Sequence, residues 1–164
     1  MIVVSDSGPL ISLMKAGRLS VLHTLYGEVL IPVAVFSELT SNPKYEDEAI
    51  EIKSQSFIKV VAVEDRKSVD LLRRATGLDL GESEAIVYAD EKEADFLLIE
   101  EDAGRKVAQQ MRIRVRGSMG VLLFAFDKGI LTRDQVEDAI EKLKKTERRI
   151  SEQIYKFAYD HVRQ

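Results

Sequence analysis

Apolar positions along the chain follow two rhythms. Short apolar runs in "MIVVS", "EVLI", "IKVVAV", "DFLLIE" and "IRVRG" read as strands, and the stretches between them repeat at helical spacing. "DFLLIE" carries an uninterrupted apolar run, as expected of a strand covered on both faces. "IKVVAV" mixes in a lysine and is expected at a sheet edge. "GPLISLMKAGRLSVLHTL" reads as one helix with Pro9 in its first turn, where a missing N–H costs nothing. Pro32 opens a second helix in "PVAVFSELTS", and the Asn42–Pro43 step ends it. Further helices are predicted over 44–54, 65–76, "LGESEAIVYADEKE", "AGRKVAQQM" and "MGVLLFAFDKGI". Strands alternating with helices predict an α/β fold around a mainly parallel sheet. From Thr132 onward two charged amphipathic helices run to the end. Their apolar positions recur at Val136, Ala139, Ile140 and Leu143, then at Ile150, Ile154, Phe157 and His161. A length of 164 residues suits one domain over 1–164, with 132–164 as a C-terminal helical extension packed on it.

Composition narrows the chemistry. The chain has no cysteine, which removes disulfide frameworks, thiol catalysis and cysteine–zinc sites. Its net charge is −4 and its pI about 5.3, against a protein that coats nucleic acid by bulk electrostatics. An enzyme that meets phosphates through bound cations is not excluded. No basic segment followed by an apolar one marks a signal peptide. The longest apolar runs, "VLIPVAVF" and "MGVLLFAF", fall far short of the ~20 residues of a spanning helix. The expectation is a soluble cytoplasmic protein, with no membrane partner.

Against that background four acids stand out. Asp6 ends the first strand, where Ser7, Gly8 and Pro9 break it, and Glu100 ends the strand "FLLI" in the same way. Ligands of parallel α/β sheets bind outside the carboxyl ends of strands. Asp6 is therefore either a helix cap or one corner of a site. Glu38 shares a predicted helix face with Ala34 and Val35, and no nearby Lys or Arg offers to pair with it. It is either a site residue or a carboxylate at the solvent boundary of that face. Glu82 follows Asp79 by three residues, the spacing of a capping box, yet shares a face with Ala85, Ile86 and Ala89. Glu84 points away from that face and is the weaker candidate. Neither His23 nor His161 accompanies the acids. A carboxylate-only cluster suits hard cations such as Mg²⁺ or Mn²⁺ rather than Zn²⁺.

The segments "VSDSGPLISL", "IPVAVFSEL", "LDLGESEAIVYA", "FLLIEEDAGRKVA" and "GSMGVLLFAFDKGIL", in this order and spacing, resemble the PIN-domain nucleases over nearly the whole chain. With "ERRISEQIY" near the end, they are most similar to small prokaryotic proteins like the toxin components of toxin–antitoxin pairs. The resemblance implies a three-layer α/β/α fold and Mg²⁺- or Mn²⁺-dependent hydrolysis of single-stranded RNA. It places the family's acids on Asp6, Glu38, Glu82 and Glu100, which would act as catalytic residues and metal ligands, with Asp102 as a further ligand candidate. Ser7 would help to orient Asp6 or a water. Glu38 and Glu100 are both candidates for the general base, and one cation or two would serve. A small antitoxin and a second copy of the chain are the implied protein partners.

The chain departs from the family at one position, with Glu100 where Asp is usual. A misplacement of ~1 Å can cost ~100-fold in rate. This raises an alternative, a catalytically weak PIN-like protein that acts by binding RNA or a partner. A small-molecule phosphatase is disfavoured, because Gly8 stands where such enzymes carry a second Asp. Basic residues gather late, at Arg105, Lys106, Arg112, Arg114 and Arg116. Those of "RIRVRG" either guard an edge strand against aggregation or, with Arg105, form a track for the phosphate backbone. Arg105, Arg114 and Arg116 are the candidate substrate contacts.

Overall fold

A computed structural model describes residues 1–164. Five strands form its sheet: β1 Val3–Ser5, β2 Val29–Pro32, β3 Ile58–Val61, β4 Phe96–Leu98 and β5 Val115–Arg116. Their order is β3-β2-β1-β4-β5, and every pairing is parallel. The central strand β1 pairs with β2 through Val4 and Leu30 and with β4 through Val4 and Leu97. The chain lays β1, β2 and β3 outward in one direction, then crosses back to place β4 and β5 on the other side. The order thus reverses between β1 and β4, and ligands of open parallel sheets bind at such a point.

Eleven helical segments surround the sheet: α1 Ser7–Lys15, α2 Val21–Tyr26, α3 Val33–Ser41, a 3-10 turn Pro43–Tyr45, α4 Glu46–Ser54, α5 Arg66–Thr76, α6 Leu80–Glu91, α7 Asp102–Gln110, α8 Ser118–Asp127, α9 Arg133–Lys144 and α10 Glu152–Val162. Successive strand side chains point to opposite faces. Val3 and Leu98 accordingly join a core of 30 buried residues with α1, α2, α3, α4, α8, α9 and α10. Val4, Leu97 and Ile99 join a second core of 13, formed with α5, α6 and α7. The architecture is three-layered α/β/α, and the apolar run of β4 is covered on both faces as expected. β3 lies at a sheet edge, also as expected. No helix is long and apolar enough to cross a membrane.

Three sequence expectations need correction. The stretch predicted as one helix after Asp6 is two. Gly17 has φ 70°, its N–H donates to Met14 O, and the Arg18 N–H donates to Leu13 O at 2.8 Å. This is a Schellman stop, which a left-handed glycine makes cheap. The strand predicted at "IRVRG" shrinks to Val115–Arg116, close behind the turn in which Arg112 sits at φ 63°. The last helix is rotated from its predicted face. Tyr155, Ala158 and Val162 are buried, whereas Ile154 and Phe157 stay 45% and 64% exposed. The two stripes differ by one residue, or ~100° around a helix. The stripe with the small Ala158 is the one that packs on α8 and α9.

Candidate active site

A cavity of about 430 Å³ opens beyond the carboxyl ends of β1 and β4. Six acidic side chains line it: Asp6, Glu38, Asp79, Glu82, Glu100 and Glu101, together with Ser7 and Arg148. The acids come from four places in the sequence, and the crossover topology brings them to one sheet edge.

Asp6 follows β1, and its N–H donates to Leu98 O of β4 at 2.9 Å, fixing it at the strand tip. It occupies the N-cap position of α1, but its side chain makes no capping bond. Its Oδ1 is buried with no hydrogen-bond partner at all. Burial pushes the Asp6 carboxyl up to about 8; the Ser7 amide opposes the rise, while the negative charges of Glu82, Asp79 and Glu38 add to it. A carboxyl so placed holds a proton or takes a cation.

Glu82 serves two ends. Its N–H donates to Asp79 Oδ1 at 2.8 Å and its Oε1 accepts from the Asp79 N–H at 3.4 Å, so the capping box forms. Burial and then the Asp79 charge raise Glu82 to about 7, and Glu101 adds to the effect. Its other oxygen, Oε2, faces Gly104 of α7. A Cβ on Gly104 would lie 2.8 Å from that oxygen and 2.6 Å from Ile99 Cδ1. Gly104→Ala is therefore expected to lower stability by about 1–3 kcal/mol, the usual cost of overpacking. A urea melt checks this, and an unshifted midpoint would mean that the neighbours yield without cost.

Glu38 projects from α3 at the cavity rim and is exposed, so the solvent-boundary alternative describes its position. Desolvation and then the Asp79 charge nevertheless raise its pKa; the Ser7 hydroxyl and Arg148 pull the other way. Glu84, the weaker candidate, is buried for a structural reason. It accepts from the Ala34 N–H at 3.0 Å and from Arg66 at 2.7 Å, tying α6 to α3 and the start of α5.

The "EED" segment departs most from expectation. β4 ends at Leu98 and the chain turns before α7, so strict alternation fails and both Glu100 and Glu101 line the cavity. Glu100 does not turn toward Asp6. Its Oε2 accepts from Ser12 Oγ at 3.0 Å and from Arg148 Nη2 at 3.3 Å, and its Oε1 accepts from the Ser118 N–H at 3.2 Å and from the Ser118 hydroxyl. The Glu101 charge is the one felt at Glu82. Asp102 is a ligand candidate by the resemblance. It is the first residue of α7, and the N-cap Glu101 makes no side-chain bond. Asp102 lines neighbouring clefts rather than the acidic cavity.

The arginines expected on one strand face separate. Arg105 Nη1 donates to Ile99 O at 2.9 Å. Arg116 donates to Tyr26 Oη at 2.8 Å and lies 4.2 Å and 4.5 Å from the Phe96 and Phe124 ring centres. Both line a groove with Ser118, Met119, Leu123, Ile154 and Phe157, next to the cavity. Arg114 is exposed and lines neither. His23 stacks on Phe57 and His161 contacts Asp127, both away from the acids.

The sequence marks Asp79 only as a cap partner and gives Ser12, Ser118 and Arg148 no mark. Arg148 sits in "KKTERRI", a charge run indistinguishable from a solvated surface until the chain folds back. As placed, no three acidic or histidine side chains are arranged to hold a metal ion. The donor chemistry still fits a hard cation, because every candidate atom is a carboxylate oxygen and Asp6 Oδ1 is buried and unpartnered.

No curated protein matches the chain. A family model described as a PIN domain matches residues 2–164. PIN domains are generally nucleases and typically use divalent metals, a chemistry suited to an all-oxygen acidic cavity at a sheet switch point. Matched from its second residue to its last, this chain belongs to the PIN-domain family.

Proposed function

We propose that the chain is a metal-dependent endoribonuclease cutting single-stranded RNA, the toxin component of a toxin–antitoxin pair. The observation that carries this reading is Asp6, a buried carboxylate with an unpartnered oxygen, at the switch point of the sheet and beside further acids. Asp6, Glu38 and Glu82 would hold Mg²⁺ or Mn²⁺, with Asp79 and Glu101 adjoining them. A bound divalent cation supplies an acidified water and neutralises charge on the scissile phosphate. Glu38, exposed at the rim, would take the proton of an attacking water. The Ser7 hydroxyl favours the charged form of Glu38. Arg105 and Arg116 line the adjoining groove and would meet the RNA backbone beyond the cut. The exposed Ile154 and Phe157 of the same groove offer an apolar contact for a small antitoxin or a second copy.

The second reading, a PIN-like protein that binds RNA but cuts poorly, is favoured by two observations. Glu100 is tied to Ser12, Ser118 and Arg148, and no three acids converge as they stand. Incubation of the purified protein with mixed-sequence single-stranded RNA separates the two. Cleavage with Mn²⁺ that stops with chelator supports the nuclease; retention of uncut RNA supports the binder. Mn²⁺ is also expected to raise the melting temperature, since it binds the folded acids and not the unfolded chain. At 100 times its dissociation constant the gain is ~2.7 kcal/mol. An unchanged melting curve at millimolar Mn²⁺ counts against a metal site.

A further inference from the structure

The acidic cavity has one basic side chain on its wall, Arg148. It arrives from the segment after α9, and that segment is anchored. The Thr146 hydroxyl donates to Leu143 O at 2.7 Å and accepts from the Arg148 N–H at 3.1 Å. The side chain then crosses the first turn of α1. Its Nε donates to Ser12 Oγ at 3.1 Å, and its Nη2 donates to Gly8 O and to Glu100 Oε2, each at 3.3 Å. Only a fifth of the side chain is exposed. A Cβ on Gly8 would lie 3.3 Å from Arg148 Nη2 and 3.5 Å from Glu100 Oε2, so residue 8 leaves room for the pair to lie flat on the helix.

These contacts use Nε and Nη2. The remaining nitrogen, Nη1, has no hydrogen-bond partner in the protein. A guanidinium presents its donors in a rigid fork, and two of its nitrogens fixed by Glu100 and the α1 turn hold the third in the same plane. The charge of Arg148 is felt at Glu38, where it opposes the rise that desolvation and Asp79 cause. A phosphodiester entering among these acidic side chains meets one cationic group in the lining, Arg148.

We propose that Arg148 is a substrate-contacting catalytic residue, whose free Nη1 donates to a non-bridging oxygen of the RNA phosphate, and that Glu100 is its positioning residue. The proposal rests on the nuclease reading and names a further group of the same site. It accounts for Glu100, whose four accepted bonds all come from Arg148, Ser12 and Ser118. An arginine that only braced the C-terminal segment, or only plugged the cavity, behaves differently when it is changed.

The test uses the full chain with Arg148→Gln and Arg148→Lys, a labelled single-stranded RNA and Mn²⁺. Single-turnover cleavage is expected to fall by about 100-fold in Arg148→Gln, the usual loss for one donor to a developing oxyanion. Arg148→Lys should recover part of it, because the charge returns without the fork. The Mn²⁺-induced rise in melting temperature should match that of wild type in both. A faster rate in Arg148→Gln makes the residue a plug, and an unchanged rate makes it a brace; either overturns the proposal. A loss that disappears at higher Mn²⁺ also overturns it, because it would mean an effect on the cation. Should Arg148→Gln fail to fold, wild-type activity in Arg148→Lys would refute the need for the fork. If the wild type itself cuts no RNA, the nuclease reading fails separately. Fluorescence anisotropy of the same RNA in an Asp6→Asn background then decides on Arg148: a tenfold weaker affinity for the double variant supports phosphate contact, and an equal affinity overturns it.

Discussion

Asp6→Asn is expected to lower RNA cleavage by roughly a thousandfold or more while leaving the metal-free protein as stable as before, or more stable. The two halves of this result have one cause. Asp6 Oδ1 is buried, unpartnered and surrounded by Glu82, Asp79 and Glu38. A carboxylate so placed is useful to a cation and costly without one, and an amide relieves the repulsion while removing the ligand. The same cause fixes a pH dependence. Burial raises folded Asp6 from 3.8 to about 8, and Glu82 from 4.5 to about 7. The folded state therefore binds these protons more tightly than the unfolded chain. The stability they confer is full below the ordinary carboxylate range and is lost as pH rises through the folded values. The melting temperature of the metal-free wild type should fall between about pH 5 and about pH 8. The fall should be shallower in Asp6→Asn, and saturating Mn²⁺ should offset it in the wild type. Thermal melts at three pH values, with Mn²⁺ and with chelator, measure all of this. A clear loss of metal-free stability in Asp6→Asn would instead mean that the side chain supports α1 after all.

The sequence shows what burial imposes and misses what only folding back creates. A parallel sheet covered on both faces must be apolar on both, so β4 is visible as an unbroken run and the α/β class follows. The stop at Gly17 was less visible, because "LMKAGRLSVLHTL" keeps helical spacing across it and one left-handed glycine outweighs that pattern. On α10 two apolar stripes overlap, and only packing against α8 and α9 chooses Tyr155, Ala158 and Val162 over Ile154 and Phe157. In the site, Asp6 and Glu100 are legible because strand tips have recognisable ends. Glu38 and Glu82 are legible because acids on otherwise apolar helix faces are anomalous. Ser12, Ser118 and Arg148 carry no such mark. They lie on a buried helix face, at a helix start and in a charge run, and only their meeting at Glu100 distinguishes them.

That meeting changes what substitutions in "EED" should do. The resemblance places the catalytic acid on Glu100 and none on Glu101. With β4 ended at Leu98, both face the cavity but in different company. The Glu101 charge acts on Glu82, within the acids around Asp6. Glu100 is bonded to Ser12, Ser118 and Arg148. Two losses of distinct kinds are therefore expected. Glu101→Gln should raise the Mn²⁺ concentration needed for half-maximal cleavage, because it removes charge that draws in the cation. Glu100→Gln should lower the maximal rate by at least about tenfold at unchanged Mn²⁺ requirement, because it loosens the arginine and not the cation. Glu100→Asp, which restores the family's usual acid, should fail to rescue. Its side chain is one methylene too short to reach Ser118 and Arg148 together. Asp102→Asn should be mild, since an exposed acid in the first turn of a helix contributes only ~0.3–1 kcal/mol. Cleavage rates across a Mn²⁺ titration separate these outcomes. If Glu100→Gln shifts the Mn²⁺ requirement and Glu101→Gln does not, Glu100 leaves its serines to join the cation, and the role assigned to it beside Arg148 is wrong.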